Sequence, residues 1–186
     1  QPKKQLGNNG SDECEWYTMS EALYLFADVA QQKGESASLV RRCRDMAKLY
    51  EYTEFWDIFN NEENLFDYKP EVGSWPEYFH AYSHVNSFNS ALAAYETNGN
   101  EYYLDATQKF WDWMKSSQRL ATGGYGLQYE WLLPTEKIVD YMQTTHNTTE
   151  TQCTSYAVVN LDNRLMRYTL DASYGQWTED VFYNMT

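Results

Sequence analysis

The stretch Ala93-Ala-Tyr-Glu-Thr-Asn-Gly-Asn100, running on into Glu101-Tyr-Tyr-Leu-Asp-Ala-Thr-Gln-Lys-Phe-Trp111, contains a helix stop and a helix start back to back. Gly99 supplies the left-handed residue on which helices commonly end, and Asn100 supplies the N-cap of the next one. The preceding helix is expected from about Pro76 or His84 to Thr97. The following one is expected from Glu101 to about Ser117, with Tyr103, Ala106, Phe110, Trp113 and Met114 on a single stripe. Two amphipathic helices joined this tightly form a helical hairpin.

The same grammar repeats outward from this point. From Glu15 to about Lys33, Trp16, Met19, Leu23, Phe26, Ala27 and Ala30 recur at three- and four-residue steps, and Gly34 ends that helix. Ser36 or Ser38 can cap a second helix through Trp56, with Leu39, Val40, Cys43, Met46, Ala47 and Tyr50 on its inner face. Residues 57–76 read as a loop. A fifth helix is expected over Thr154 to Leu170 and a sixth over Gln176 to Asn184, with Gly175 breaking the chain between them; no strand pattern of comparable strength is present. Gly34, Gly99 and Gly175 recur at roughly 70-residue steps, as in a helical-hairpin repeat. A hairpin with one apolar side must stack on others, in a solenoid or a closed ring. The expectation is therefore an all-α chain that forms about half of a six-hairpin (α/α)6 barrel, with the remainder of the barrel or another chain against its open edge.

Composition narrows the partners. With 14 basic and 27 acidic residues the chain carries a net charge of −13, which leaves no basic footprint for nucleic acid or for an anionic membrane surface. No apolar run approaches the roughly 20 residues of a membrane span. The N-terminus QPKKQLGNNGSDE has no hydrophobic segment of the signal-peptide kind, so the chain is expected to be soluble or already processed. Seventeen Tyr and seven Trp are the outlier; rigid amphipathic rings suit both helix packing and stacking on sugar faces. The sequons at Asn9, Asn147 and Asn184 would be glycan acceptors in a eukaryotic secretory pathway, which makes a secreted location the expectation. Cys14, Cys43 and Cys153 allow at most one internal disulfide.

Chemistry concentrates between the fourth and fifth helices. Ala121-Thr-Gly-Gly-Tyr-Gly-Leu-Gln-Tyr-Glu130-Trp-Leu-Leu-Pro134 sets one acid among aromatics after three glycines, and His146-Asn-Thr-Thr-Glu150-Thr-Gln-Cys153 follows it. Tyr129 and Trp131 flank Glu130 as apolar walls of the kind that let a carboxylic acid keep its proton near neutral pH. His80 and His84 stand four apart, with Glu77 one turn before them, a spacing that suits one helical face. His146, Glu150 and Cys153 could together give a metal three ligands if the loop folds back. The plainer reading of Cys153, at the head of an apolar helix, is a packed thiol.

Four segments resemble a known family: Glu15-Trp-Tyr-Thr-Met-Ser-Glu21; His80-Ala-Tyr-Ser-His84 with Ala93 to Asn100; Ala121-Thr-Gly-Gly124 with Glu130; and Glu150-Thr-Gln-Cys153 with Tyr174-Gly-Gln-Trp-Thr-Glu-Asp-Val-Phe-Tyr-Asn184. In this order they resemble the (α/α)6-barrel domain of the β-L-arabinofuranosidases, glycoside hydrolase family 127. The resemblance implies a glycosidase acting on arabinofuranosyl or related glycans. It implies Glu130 as general acid/base and His80 as a sugar contact; His84, one turn on, and Tyr129 and Trp131, beside Glu130, are expected as substrate-binding residues by their position. Glu150 and Cys153 fall near a Glu and a Cys that bind zinc in the family. There the acid stands two residues before the cysteine, whereas here Thr151 holds that place. The family's later cysteine pair, which supplies the nucleophile and completes the zinc site, has no counterpart after Cys153. Two other readings stand beside the glycosidase. One is a polysaccharide lyase on the same scaffold, which would need more Arg or Lys than these loops hold. The other is a non-catalytic carbohydrate-binding or structural component that keeps the barrel.

Overall fold

The computed structural model describes residues 16–68, 79–144 and 152–185. The elements are α1 (Met19–Gln32), α2 (Ala37–Leu49), α3 (Thr53–Asn60), β1 (Phe79–His80), α4 (Ala81–Asn98), α5 (Glu101–Ser117), α6 (Leu127–Glu130), β2 (Trp131–Leu132), α7 (Thr135–Thr144), α8 (Gln152–Thr169) and α9 (Gly175–Met185). Among the described residues the regular structure is helical apart from β1 and β2, a two-residue antiparallel pair with Phe79 opposite Leu132 and His80 opposite Trp131. Among the described residues no helix is long and apolar enough to cross a membrane.

The central hairpin forms as its sequence dictates. Gly99 has φ +67°, and the Asn100 side chain accepts the Tyr102 N–H at 3.1 Å, capping α5. Gly34 likewise has φ +75° after α1, and Ser36 caps α2 through the Leu39 N–H at 3.2 Å. The third stop is different. Gly175 is helical at φ −72° and opens α9, while Leu170, at φ +60°, is the left-handed residue after α8 and Asp171 caps the short turn that follows.

Residues up to 68, together with 87–107, make one compact unit, and 79–86 with 108–185 make a second; α4 and α5 contribute to both. In the first unit the core is aromatic. Tyr17 and Tyr52 stack at 4.8 Å, and Phe55, Phe59 and Phe88 continue the cluster with centroids 5.4–5.6 Å apart. The buried face of α1 is Ser20, Tyr24, Ala27 and Ala30, rather than the stripe through Met19 and Phe26, both of which are exposed. The reason is a buried carboxylate. Glu51 accepts the Tyr24 hydroxyl at 2.5 Å and the Tyr103 hydroxyl at 3.1 Å, which turns Tyr24 inward and holds its hydroxyl above the ordinary tyrosine value, through burial first and Glu51 second. The single second helix expected through Trp56 is instead two, α2 ending at Leu49 and α3 beginning at Thr53. Part of the expected loop over 57–76 is therefore α3; residues 69–78 lie outside the described residues.

The second unit is built around Trp111, Tyr125, Tyr174 and Trp177, whose ring centroids lie 4.7–6.1 Å apart in edge-on pairs. Asp162 of α8 is fully buried within it. It takes the Trp111 indole N–H at 2.6 Å and both the N–H and the hydroxyl of Thr178 at 2.9 Å. Burial drives its carboxyl up to about 7 against the downward pull of those three hydrogen bonds.

Candidate active site

Residues 118–144, which follow α5, form a built structure. Trp177 donates its indole N–H to the Gly123 carbonyl at 2.6 Å, and the Tyr125 hydroxyl donates to the Thr154 carbonyl at 2.8 Å. Gly123 has φ +94°, and a β-carbon there would stand 3.0 Å from both Asp180 Cβ and Val181 N. At Gly126, with φ +79°, a β-carbon would stand 3.0 Å from Ala81 Cβ and 3.2 Å from Thr154 Cγ2. Only glycine lets the segment lie this close to the starts of α4 and α8. Pro134 then starts α7, whose Ile138 packs with Leu127 and Leu133, with Leu120, Trp131 and Tyr141 around them.

This scaffold delivers Glu130. The residue closes the four-residue α6 in the left-handed region, at φ +64°, with the following Trp131 N–H bonded back to the Leu127 carbonyl. Glycine is the ordinary occupant of such a position, and a side-chain-bearing residue there costs about 1–2 kcal/mol. Such strain at a partly buried carboxylate is a reason to ask what the side chain does. The Glu130 side chain is 18% exposed, and its Oε2 lies 3.7 Å from His80 Nε2. The β1–β2 pair sets this geometry, because it places His80 directly opposite Trp131, whose ring meets the imidazole edge-on at 5.7 Å.

His80, Glu130 and Trp131 are thus brought together. His84 is placed differently: it is fully buried, with Nδ1 2.8 Å from the His80 carbonyl and the Phe79 ring edge-on at 5.1 Å, and burial lowers its pKa to about 3. It presents no surface to a sugar, and it supports His80 from beneath. Tyr129 belongs to α6 by its backbone, and its side chain lies outside the described residues. Cys153 is an exposed residue of the first turn of α8, not a packed thiol. Asn184 is exposed on α9. Asn9, Cys14, Glu77, His146, Asn147 and Glu150 lie outside the described residues. Among the described residues no three His, Cys, Asp or Glu side chains converge to hold a metal ion.

The hydroxyl of Tyr125 is held well above its ordinary value by burial first, and then by Glu130, Asp162, Tyr82 and Cys153 around it. It therefore remains a hydrogen-bond donor at any physiological pH. Gln118 is a further member that the sequence reading does not single out. Buried at the end of α5, it donates from Nε2 to the Leu133 carbonyl at 2.9 Å and accepts the Leu133 N–H at 3.2 Å, pairing with the chain just after β2 as a neighbouring strand would. Nothing in composition or periodicity marks such a glutamine. Ser83, three residues after His80, is the other missed group, and its capping spacing was available to find it.

Residues 41–186 match the family described as "Beta-L-arabinofuranosidase, GH127 catalytic domain". The chain belongs to this family. Its catalytic domain is an (α/α)6 barrel, and the all-α chain fits as part of one. Membership supports a glycoside hydrolase-like function with carbohydrate as the partner. The match spans both units and covers His80, Glu130, Trp131 and Cys153. No curated protein matches the chain.

Proposed function

We infer that the chain carries the acid/base side of a glycosidase site acting on arabinofuranosyl or related glycans, with Glu130 as general acid/base and Trp131 and His80 forming the wall beside the sugar. The observation that carries this reading is the conformation of Glu130. The exposed Glu62 shares the left-handed backbone, at φ +58°, but Glu130 adds to it a carboxylate that is mostly shielded and turned toward an imidazole. In either glycosidase mechanism one carboxylic acid protonates the departing glycosidic oxygen while a second group acts at the anomeric carbon. Among the described residues Glu130 has the geometry for the first role.

The same reading takes the protein as secreted, with Asn184 as an acceptor for N-linked glycan. Support is the exposure of Asn184 together with its sequon. The catalytic reading is tested by Glu130→Gln, which preserves shape and removes the transferable proton. Turnover of an unactivated arabinofuranoside should fall by about 10²–10⁴-fold, with the unfolding midpoint nearly unchanged. Unchanged turnover would remove Glu130 from the acid role and favour a binding or structural component.

A further inference from the structure

The hydrogen bonds around His80 fix where its proton sits. His80 immediately precedes α4, and its Nδ1 receives the backbone N–H of Ser83 at 3.4 Å, as the side chain of an N-cap residue does. The Ser83 hydroxyl lies 3.1 Å from the same nitrogen, and Ser83 is fully buried, so this contact is not diluted by solvent. A backbone N–H can only donate. Nδ1 must therefore keep its lone pair, and the hydrogen of the neutral ring falls on Nε2. Nε2 is the nitrogen that faces Glu130 Oε2 at 3.7 Å.

The ring cannot easily turn to escape this assignment. The His80 backbone is paired with Trp131 across β1 and β2, its carbonyl accepts from His84 Nδ1 at 2.8 Å, and the Trp131 ring lies edge-on to the imidazole at an interplanar angle of 86°. The 3.7 Å separation is just outside hydrogen-bond range, a common state of a site without substrate that tightens when substrate binds. A carboxylic acid that accepts a hydrogen bond at one oxygen carries its own proton on the other.

We propose that His80 is a tautomer-locked positioning residue: the Ser83 N–H holds Nδ1, the Nε2–H is donated to Glu130 Oε2, and Oε1 is thereby the oxygen that bears the transferable proton of the acid. The last clause rests on the reading of Glu130 as general acid; the tautomer does not. With both ring nitrogens committed, the sugar meets the face and carbon edge of His80 rather than its nitrogens.

Two measurements test this. In protein labelled with ¹⁵N-histidine, long-range ¹H–¹⁵N spectra at neutral pH distinguish the two neutral tautomers and the imidazolium, and the signals absent from His80→Gln identify His80 among the three histidines. The Nε2–H tautomer is expected; an Nδ1–H or doubly protonated ring would overturn the proposal. The second measurement compares His80→Gln, whose amide nitrogen reaches the place of Nε2, with His80→Asn, whose shorter amide reaches the place of Nδ1 and is a good helix cap. His80→Asn should be the more stable of the two, yet lower in kcat/KM on an alkyl arabinofuranoside, whose leaving group needs the proton, by up to roughly tenfold, the share of one hydrogen bond. A merely structural histidine would rank both properties the same way, and that result would also overturn the proposal. Unchanged turnover in Glu130→Gln alongside an Nε2–H signal would locate the failure in the acid reading instead.

Discussion

Replacing Glu130 by glycine and by alanine separates the strain of its backbone from the chemistry of its side chain. At φ +64° an L residue costs about 1–2 kcal/mol relative to glycine. Both replacements delete the carboxylate and its approach to His80, so those losses cancel in the difference between the two variants. Glycine gives back roughly 0.5–1 kcal/mol because it is freer in the unfolded chain. The remainder favours Glu130→Gly over Glu130→Ala by about 0.5–1 kcal/mol, or about 1–4 °C in Tm for a chain of this size. The sign is diagnostic, because in an ordinary helix alanine is the more stable by about 1 kcal/mol. Urea unfolding of both variants at one pH reads it directly. An alanine variant as stable as the glycine variant, or more so, would refute the left-handed conformation and with it the argument that Glu130 is held under strain for a purpose.

Asp162, with its folded pKa near 7 against an ordinary 3.8, should stabilise the fold fully below pH 4 and lose that contribution as pH rises to 7 and beyond, because the folded state binds the extra proton across that window. The stability of the wild type relative to Asp162→Asn should fall by about 4 kcal/mol, to order of magnitude, between pH 4 and pH 8; a flat difference across that range in denaturant titrations would contradict the burial argument. Gln118→Met, similar in shape but unable to pair with Leu133, should cost about 2–4 kcal/mol by leaving a buried N–H and carbonyl unmet. A loss below about 1 kcal/mol would show that water or relaxation replaces the pair. Peptide mapping of protein secreted from a eukaryotic host should find glycan on Asn184, and an unmodified residue would count against the secretory reading.

The parts of the fold that local chemistry controls were legible from the residues: Asn98-Gly99-Asn100 ends one helix and caps the next, and Ser36 caps α2. What escaped was decided by partners distant in sequence. Periodicity alone could not choose between the Met19–Phe26 stripe of α1 and the Ser20–Tyr24–Ala27 stripe, because the choice is made by Glu51 reaching Tyr24 and Tyr103. α7 is hard to read because Pro134, which starts it, closes a glycine-rich stretch with no helical periodicity, and a two-residue strand pair gives no alternating pattern. At the site, Glu130, His80 and Trp131 were identifiable by type and order. The inward burial of His84 and the clamp of Gln118 on Leu133 arise only from the folded backbone, whereas the hold of Ser83 on His80 has a capping spacing that the sequence displays.

The central claim is that Glu130 supplies the proton to the departing oxygen, and it is tested most directly by changing how much that oxygen needs one. Wild type and Glu130→Gln, prepared as the complete protein, are compared on an alkyl arabinofuranoside and on its nitrophenyl counterpart. A general acid at Glu130 predicts a loss of about 10²–10⁴-fold on the alkyl glycoside and a much smaller loss in cleavage of the nitrophenyl one, whose leaving group departs without protonation. Equal losses on both substrates, or no loss on either, would contradict it.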